Sequence, residues 1–332
     1  MKAPKFWYSQ HRLSIWQQSL VAGLAPLSCV YKYLSEAKQH KQQQKQYRFD
    51  GKVVCVGNLV VGGGGKTPTA LYLFHRIKKL APHKKMAFLT RGFGGNIDTA
   101  HQVDTKADTA QKVGDEALLL AHTGPTIISK NRIEGAKLAE EKGYDLLIMD
   151  DGFQNQSLYK DLHILVIDSR GFGNGKLLPA GPLREAPENG LAKADLIINT
   201  EPLSAELKTY LQDNATLLEG HYTPSMPEDL NKGESVIGFA GIANPDKFHK
   251  TLIALGFDIL DFHALGDHEP IPVTRLSRWL KLASKKKVRL VTTEKDYMRI
   301  PETFRKDISA VPISLTLKHS DALDKLLNEA TS

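Results

Sequence analysis

The sequence predicts an α/β protein: a mostly parallel sheet covered on both faces, followed by a second, smaller α/β unit. Two patterns point there. Short unbroken apolar runs, such as Leu146-Leu147-Ile148-Met149 and Ile164-Leu165-Val166-Ile167, alternate with amphipathic stretches. Strands without polar alternation are buried on both faces, the arrangement of a parallel sheet with helices on either side. The same texture then restarts after residue 220, which divides the chain into three parts: a helix and linker over 1–45, a main unit over 46–220, and a smaller unit over 221–332.

Taken in order, residues 13–31 carry no charge, and Leu13, Trp16, Leu20, Leu24, Leu27, Tyr31 and Leu34 recur at helical spacing. They predict an amphipathic helix, or two half-helices bent at Pro26. The stretch is too polar to span a membrane, with Gln17, Gln18 and three serines inside it. It fits either a terminal helix packed on its own domain or an interfacial helix held by an apolar face and basic flanks. Those flanks are Lys2, Lys5, His11 and Arg12 before it, and Lys32, Lys38, Lys41, Lys45 and Arg48 after it. A Gln-rich connector over 36–47 leads to a β-branched run over 52–61 and an amphipathic helix over 67–80. Strands are expected within 85–95, 125–130, 144–154, 162–169 and 194–202, with helices over 115–124 and 131–143 between them. In the smaller unit, 235–256 reads as strand, loop and helix, 274–287 as helix, and 288–300 as strand and loop.

Composition narrows the function classes. The chain has 332 residues, with 44 Lys and Arg against 37 Asp and Glu, a net charge of +7. That mild basic excess suits an anionic partner such as a nucleotide, a phosphorylated substrate or an acidic lipid. The basic residues are scattered, with no aromatic-interleaved stripe, so nucleic acid is not expected as a partner. Cys29 and Cys55 are the two cysteines, too few for a disulfide framework or a zinc site.

The strongest chemical signal is the run Val60-Val61-Gly62-Gly63-Gly64-Gly65-Lys66-Thr67, between a strand and a helix. Glycines let successive backbone N–H groups approach phosphate oxygens, and the helix amino end adds its dipole. Lysine reaches the β/γ-phosphates and threonine ligates Mg²⁺. The main unit is therefore expected to be a P-loop NTPase-type domain binding a nucleotide. The generic pattern has glycine where this chain has Val60. About 80 residues downstream an apolar strand ends in Asp150-Asp151, and one of these two carboxylates is expected to serve Mg²⁺ at the carboxyl edge of the sheet.

A guanine-specific switch is disfavoured, because the late strand ends Asn199-Thr200-Glu201-Pro202 without the base-reading lysine, and Thr293-Glu294-Lys295-Asp296 has the wrong spacing. Polar loops at strand ends, including Thr90-Arg91-Gly92-Phe93-Gly94-Gly95 and Gly114-Asp115-Glu116, favour a kinase. The alternative is a membrane-associated nucleotide switch that recruits a partner protein.

Those loops also carry a resemblance. VGNLVVGGGGKTP, TRGFGG, VGDEALLL, MDDGFQ, RGFGNGKLLPAGPLRE, FAGIANPDKF, GDHEP and VTTEKD, in this order, resemble the tetraacyldisaccharide 4′-kinases, the lipid A kinases of Gram-negative bacteria. The family too lacks the first glycine of the generic loop. The resemblance implies ATP-dependent phosphorylation of the 4′-hydroxyl of a tetraacylated glucosamine disaccharide 1-phosphate, by a peripheral enzyme at the cytoplasmic face of the inner membrane. It implies Asp115 as the base, oriented by His268 from the second unit, although Asp115 also suits a helix amino-terminal cap. Arg184 is then expected near the phosphates and Glu185 in the Mg²⁺ shell. Arg91 and Arg132 are candidates for phosphate contacts, and Gln154 for orienting substrate or a metal-bound water. Two positions depart from the family: Asn155 and Glu269 stand where histidines are usual.

Overall fold

The computed structural model describes residues 4–8, 14–213, 215–267 and 269–331. A long helix, α1 (Ile15–Gln44), leads into β1 (Lys52–Gly57), α2 (Lys66–Leu80), β2 (Met86–Thr90), β3 (His101–Gln102), α3 (Ala110–Val113) and α4 (Asp115–Ala121). Next come β4 (Thr126–Ile128), α5 (Arg132–Glu141), β5 (Leu146–Asp150), β6 (Leu162–Ile167), α6 (Pro187–Leu191), β7 (Leu196–Asn199), α7 (Ala205–Gln212) and β8 (Thr216–Pro224). The smaller unit contains β9 (Ser235–Ala240), α8 (Pro245–Leu255), β10 (Asp258–Ala264), α9 (Val273–Lys286), β11 (Arg289–Thr293), α10 (Glu294–Met298), α11 (Glu302–Arg305) and β12 (Ile308–Val311). The chain closes with β13 (Ile313–Leu317) and α12 (Asp321–Thr331).

Among the described residues the large sheet has the order β13-β8-β7-β6-β1-β5-β2-β4-β3, and the small one β10-β9-β11-β12. Only the edges of the large sheet, β13 on β8 and β3 on β4, pair antiparallel. Alternate residues of one strand serve two cores, as the pleat requires. Val54 and Val56 face Leu73, Ile77, Leu323 and Leu327 on one side. Cys55 faces Leu147, Met149 and Ala136 on the other. Because β1 lies between β5 and β6, the glycine loop after β1 and the two aspartates ending β5 emerge side by side at the carboxyl edge. In open α/β sheets that edge is where ligands bind.

One feature differs from the sequence reading. The smaller unit was expected to run from 221 to the end, but residues 313–331 return to the large sheet. There β13 pairs with β8, and Leu323 and Leu327 of α12 are buried against β1 and β6. Arg76 of α2 fastens α12, its Nε donating to Asp324 Oδ1 at 2.6 Å. Of the two expected forms of the first helix the unbroken one is found, with Pro26 inside it. Proline leaves the Ala22 carbonyl without its helical donor, and Ala22 is exposed, so water can take that bond.

Leu327→Ala is therefore expected to loosen the large sheet, costing about 2–5 kcal/mol. Amide hydrogen exchange should accelerate in β1 and β6 while β9 and β11 keep their protection. The reverse pattern would assign α12 to the smaller unit.

Candidate active site

The loop after β1 is anchored before it turns. Val60 bridges Leu183, the Arg184 N–H donates to the Leu59 carbonyl at 2.8 Å, and the Val61 N–H donates to the Pro182 carbonyl at 2.9 Å. Val60 is thus a short piece of strand with a buried side chain, 5% exposed, which explains why glycine is absent there. Glycine becomes necessary further on. Gly65 caps α2 at φ 77°, and a Cβ there would run into the Tyr222 hydroxyl. At Gly64 a Cβ would strike the Asn58 amide. Arg170 braces the loop from outside: it donates to the Gly63 carbonyl and is held by Asp168.

Lys66 and Thr67 open α2 and meet different aspartates. Thr67 Oγ1 donates to Asp150 Oδ2 at 3.0 Å. Lys66 Nζ lies 3.6 Å from Asp151 Oδ1, with the Asn58 amide oxygen and the Gly62 carbonyl each at 3.4 Å. Asp151 also receives Arg184 Nη1 at 2.8 Å. The chain separates the adjacent carboxylates by turning at Asp151, whose φ of 55° is left-handed, a conformation aspartate tolerates better than most residues.

Their electrostatics diverge accordingly. Burial, with Glu116 nearby, pushes the Asp150 carboxyl up to about 7. Burial also works to raise Asp151, but the Lys66 and Arg184 cations outweigh it and hold that carboxyl at about 2. Asp150 Oδ1 is buried without a hydrogen-bond partner, a carboxylate oxygen suited to a cation. Thr67 and Asp150 therefore fit a Mg²⁺ ion completed by phosphate oxygens and water. Among the described residues no three His, Cys, Asp or Glu side chains form a metal cluster. Glu185 is instead engaged by Gln154 Nε2 at 3.0 Å and by Lys193. Gln154 also donates to the Asn58 carbonyl at 2.8 Å.

Arg132, the first residue of α5, is 4% exposed, and its Nε has no hydrogen-bond partner. Burial lowers its guanidinium to about 10, with Asp151 opposing, so it remains a buried cation available to an anion. Arg91 is exposed on the loop after β2. Asp115, 3% exposed, begins α4 and accepts the Glu116 N–H at 2.8 Å. The smaller unit reaches this point: Arg299 Nε lies 3.7 Å from Asp115, and Lys295 Nζ lies 3.0 Å from Glu116 and 3.9 Å from Asp267. His268 lies outside the described residues. Asn155 gives its side chain to Ser157, accepting from the backbone N–H at 3.2 Å and the hydroxyl at 2.8 Å, and Glu269 holds Arg275.

At the carboxyl end of β7 is a cavity of about 510 Å³, lined by Asn199, Thr200, Glu201, Pro202, Tyr222 and Lys247 among others. Tyr222 OH donates to the Gly65 carbonyl at 2.7 Å. Sequence reasoning missed Asn58, Arg170, Lys193, Tyr222 and Arg299. Asn58 and Arg170 stand inside the motifs quoted above, which offered the only signal; Lys193, Tyr222 and Arg299 each reach the site from a further element.

The carboxyl pair makes a pH-dependent signature. Between about 4, the ordinary aspartate value, and about 7, folded Asp150 keeps a proton that the unfolded chain has lost. The folded state then binds more protons, and stability falls as pH rises through that window. Asp150→Asn is expected to raise the chelator-treated protein's melting temperature more at pH 8 than at pH 5. An equal effect at both values would remove the raised carboxyl.

Comparison with known proteins bears on this geometry. The family model for tetraacyldisaccharide-1-P 4′-kinase matches residues 20–332. A tetraacyldisaccharide 4′-kinase of Jannaschia sp. (strain CCS1) is 39% identical over 334 residues, spanning 99% of both chains. One from Dinoroseobacter shibae is 38% identical, spanning 99% of this chain and 97% of its own. A crystal structure of LpxK from Aquifex aeolicus, described as an "apo" form in complex with ATP, is 25% identical. It covers 94% of this chain and 100% of its own, with a TM-score of 0.75. Matched by the family model over residues 20–332 and by relatives almost end to end, the chain belongs to the tetraacyldisaccharide-1-P 4′-kinase family.

Proposed function

We propose that this chain transfers the γ-phosphoryl group of ATP to the 4′-hydroxyl of a tetraacylated glucosamine disaccharide 1-phosphate, the lipid A precursor. The observation that carries the reading is the Thr67–Asp150 pair beside the glycine loop, in a chain of this family. The nucleotide-switch alternative has no support among relatives named for kinase activity.

Residues 60–67 cradle the phosphates, and Lys66, held beside Asp151, extends toward the γ-phosphate. The 510 Å³ cavity takes the nucleoside. Thr67 and Asp150 would hold Mg²⁺, which when bound neutralises phosphate charge during transfer. Asp151 and Arg184 keep Lys66 in register, and Glu185 with Gln154 fixes the segment beside them. Arg132, with Arg91 at the rim, meets a phosphate of the acceptor or the nucleotide. Asp115 takes the 4′-hydroxyl proton, oriented by His268. One lysine supports that pairing: Lys295 binds Glu116, the neighbour of Asp115, and lies close to Asp267, the neighbour of His268.

The acceptor's four acyl chains call for a lipid surface, and α1 has the means to meet one. Ile15, Trp16, Leu27, Val30, Tyr33 and Leu34 are all more than half exposed. No helix among the described residues is long and apolar enough to cross a membrane. On this reading the helix lies on the cytoplasmic face of the inner membrane, with Lys32, Lys38, Lys41 and Lys45 beside anionic headgroups. Lys2, His11, Arg12 and Leu13, part of the sequence expectation, lie outside the described residues.

Transfer of labelled γ-phosphate to the purified disaccharide lipid tests the activity. The wild-type chain should form the 4′-phosphorylated product, and Lys66→Ala should lower kcat/KM by roughly 10³-fold, about 4 kcal/mol. Near-native turnover by folded Lys66→Ala would reject the phosphate-loop assignment. For the base, Asp115→Ala and His268→Ala should each lower kcat severely, with a double mutant scarcely worse than the poorer single one. Multiplying losses would make the two residues independent. For the membrane, Trp16→Ser/Leu27→Ser/Leu34→Ser should cut sedimentation with anionic vesicles while shifting stability by about 0.5 kcal/mol or less per site. Unchanged sedimentation would leave these side chains without a lipid role.

A further inference from the structure

From Ser28 onward α1 turns polar side chains inward. Leu27, Val30, Tyr33 and Leu34 are exposed, while the stripe turned to the protein includes Ser28, Tyr31, Gln39 and Gln42. Most of that polar stripe lies on segment 176–193, whose backbone groups outside the short helix α6 are not consumed by a regular ladder and need partners. Ser28 Oγ donates to the Leu177 carbonyl at 2.9 Å and accepts the Ala180 N–H at 3.2 Å. Tyr31 OH donates to the Arg184 carbonyl at 3.1 Å. Burial holds the Tyr31 phenol above its usual range, so it stays a donor. About two turns further, Gln39 Oε1 accepts from Lys193 Nζ at 3.3 Å, and the same ammonium grips Glu185. Gln42 Oε1 accepts the Gln156 N–H at 3.1 Å, two residues beyond Gln154.

The other side of this segment is the phosphate loop. Leu183 bridges Val60, and Pro182 and Arg184 bond to Val61 and Leu59. Segment 176–193 is thus held between α1 and the loop, and it carries Arg184 to Asp151 and Glu185 to Gln154.

We propose that Tyr31, Gln39 and Lys193 are positioning residues, through which α1 holds Arg184 and Glu185 in place, so that seating α1 on lipid raises turnover at the phosphoryl-transfer site. The proposal rests on the reading of α1 as a membrane-surface helix and adds a consequence to it: the bilayer acts on catalysis as well as on substrate supply. Lipid engagement orders the outer face of α1, the rigid helix transmits that order to its inner stripe, and the stripe narrows the positions open to segment 176–193. Coupling of this kind is a free energy shared between two sites.

The experiment separates catalysis from substrate delivery by using a disaccharide 1-phosphate with short acyl chains, which stays in solution. Anionic phosphatidylglycerol vesicles should raise wild-type kcat on this acceptor about fivefold or more, the lower end of common coupling, with KM for ATP unchanged. Tyr31→Phe/Gln39→Ala should sediment with vesicles as the wild type does and lose most of that stimulation. Tyr31→Phe alone, which removes one oxygen, should lose part of it and carries the test if the double variant does not fold. Vesicle binding by the wild type without any change in kcat would overturn the proposal and leave the membrane reading standing. Full stimulation of the folded variants would also overturn it. Absence of wild-type binding would remove the membrane reading and the proposal with it.

Discussion

Two carboxylates on adjacent residues, at the end of a buried strand, set the constraint that organises this site. Ionised together in a poorly solvated place they would repel, so each needs its own counter-charge. The left-handed turn at Asp151 lets them part, one toward Thr67 and the other toward Lys66 and Arg184. Asp151 is satisfied within the protein and held at about 2. Asp150 is left with a buried oxygen unmatched and a carboxyl raised to about 7. The imbalance gives the site its polarity: a ready cation position on one side and an anchored lysine on the other.

Around that core the architecture works by bracing. The glycine loop is held by Tyr222 from β8, by Arg170 from the loop after β6, and by the Pro182–Arg184 backbone. Because β13 and α12 return to the large sheet, the smaller unit is tethered at both ends. That keeps Lys295 and Arg299 opposite α4, where they meet Glu116 and Asp115. A phosphoryl-transfer site depends on positioning and charge more than on covalent chemistry, and these tethers supply the positioning.

Much of this was legible in the sequence. Apolar runs ending in glycines or aspartates locate β1 and β5, and the order of polar loops brings out the family. What escaped depends on the third dimension. The sequence leaves Asp150 and Asp151 equivalent, since their division follows from one backbone angle at Asp151. The resemblance implies Glu185 in the Mg²⁺ shell, and its contacts with Gln154 and the distant Lys193 become visible only in three dimensions. Val60 looks like a defect in a glycine pattern until its bridge to Leu183 is seen. The return of β13 and α12 is hidden because an edge strand and a terminal helix have ordinary patterns wherever they pack. Helix α1 is visible as amphipathic, but its inward polar stripe appears only against the backbone groups it serves.

The division of labour between the two aspartates is most directly tested by the Mg²⁺ dependence of phosphoryl transfer in Asp150→Asn and Asp151→Asn. Asp150→Asn should raise the half-saturating Mg²⁺ concentration by about tenfold or more, the loss of one strong cation contact. Asp151→Asn should leave that concentration within about twofold while kcat falls, because Lys66 and Arg184 lose their anchor. Equal Mg²⁺ shifts in both variants, or a shift confined to Asp151→Asn, would contradict the account.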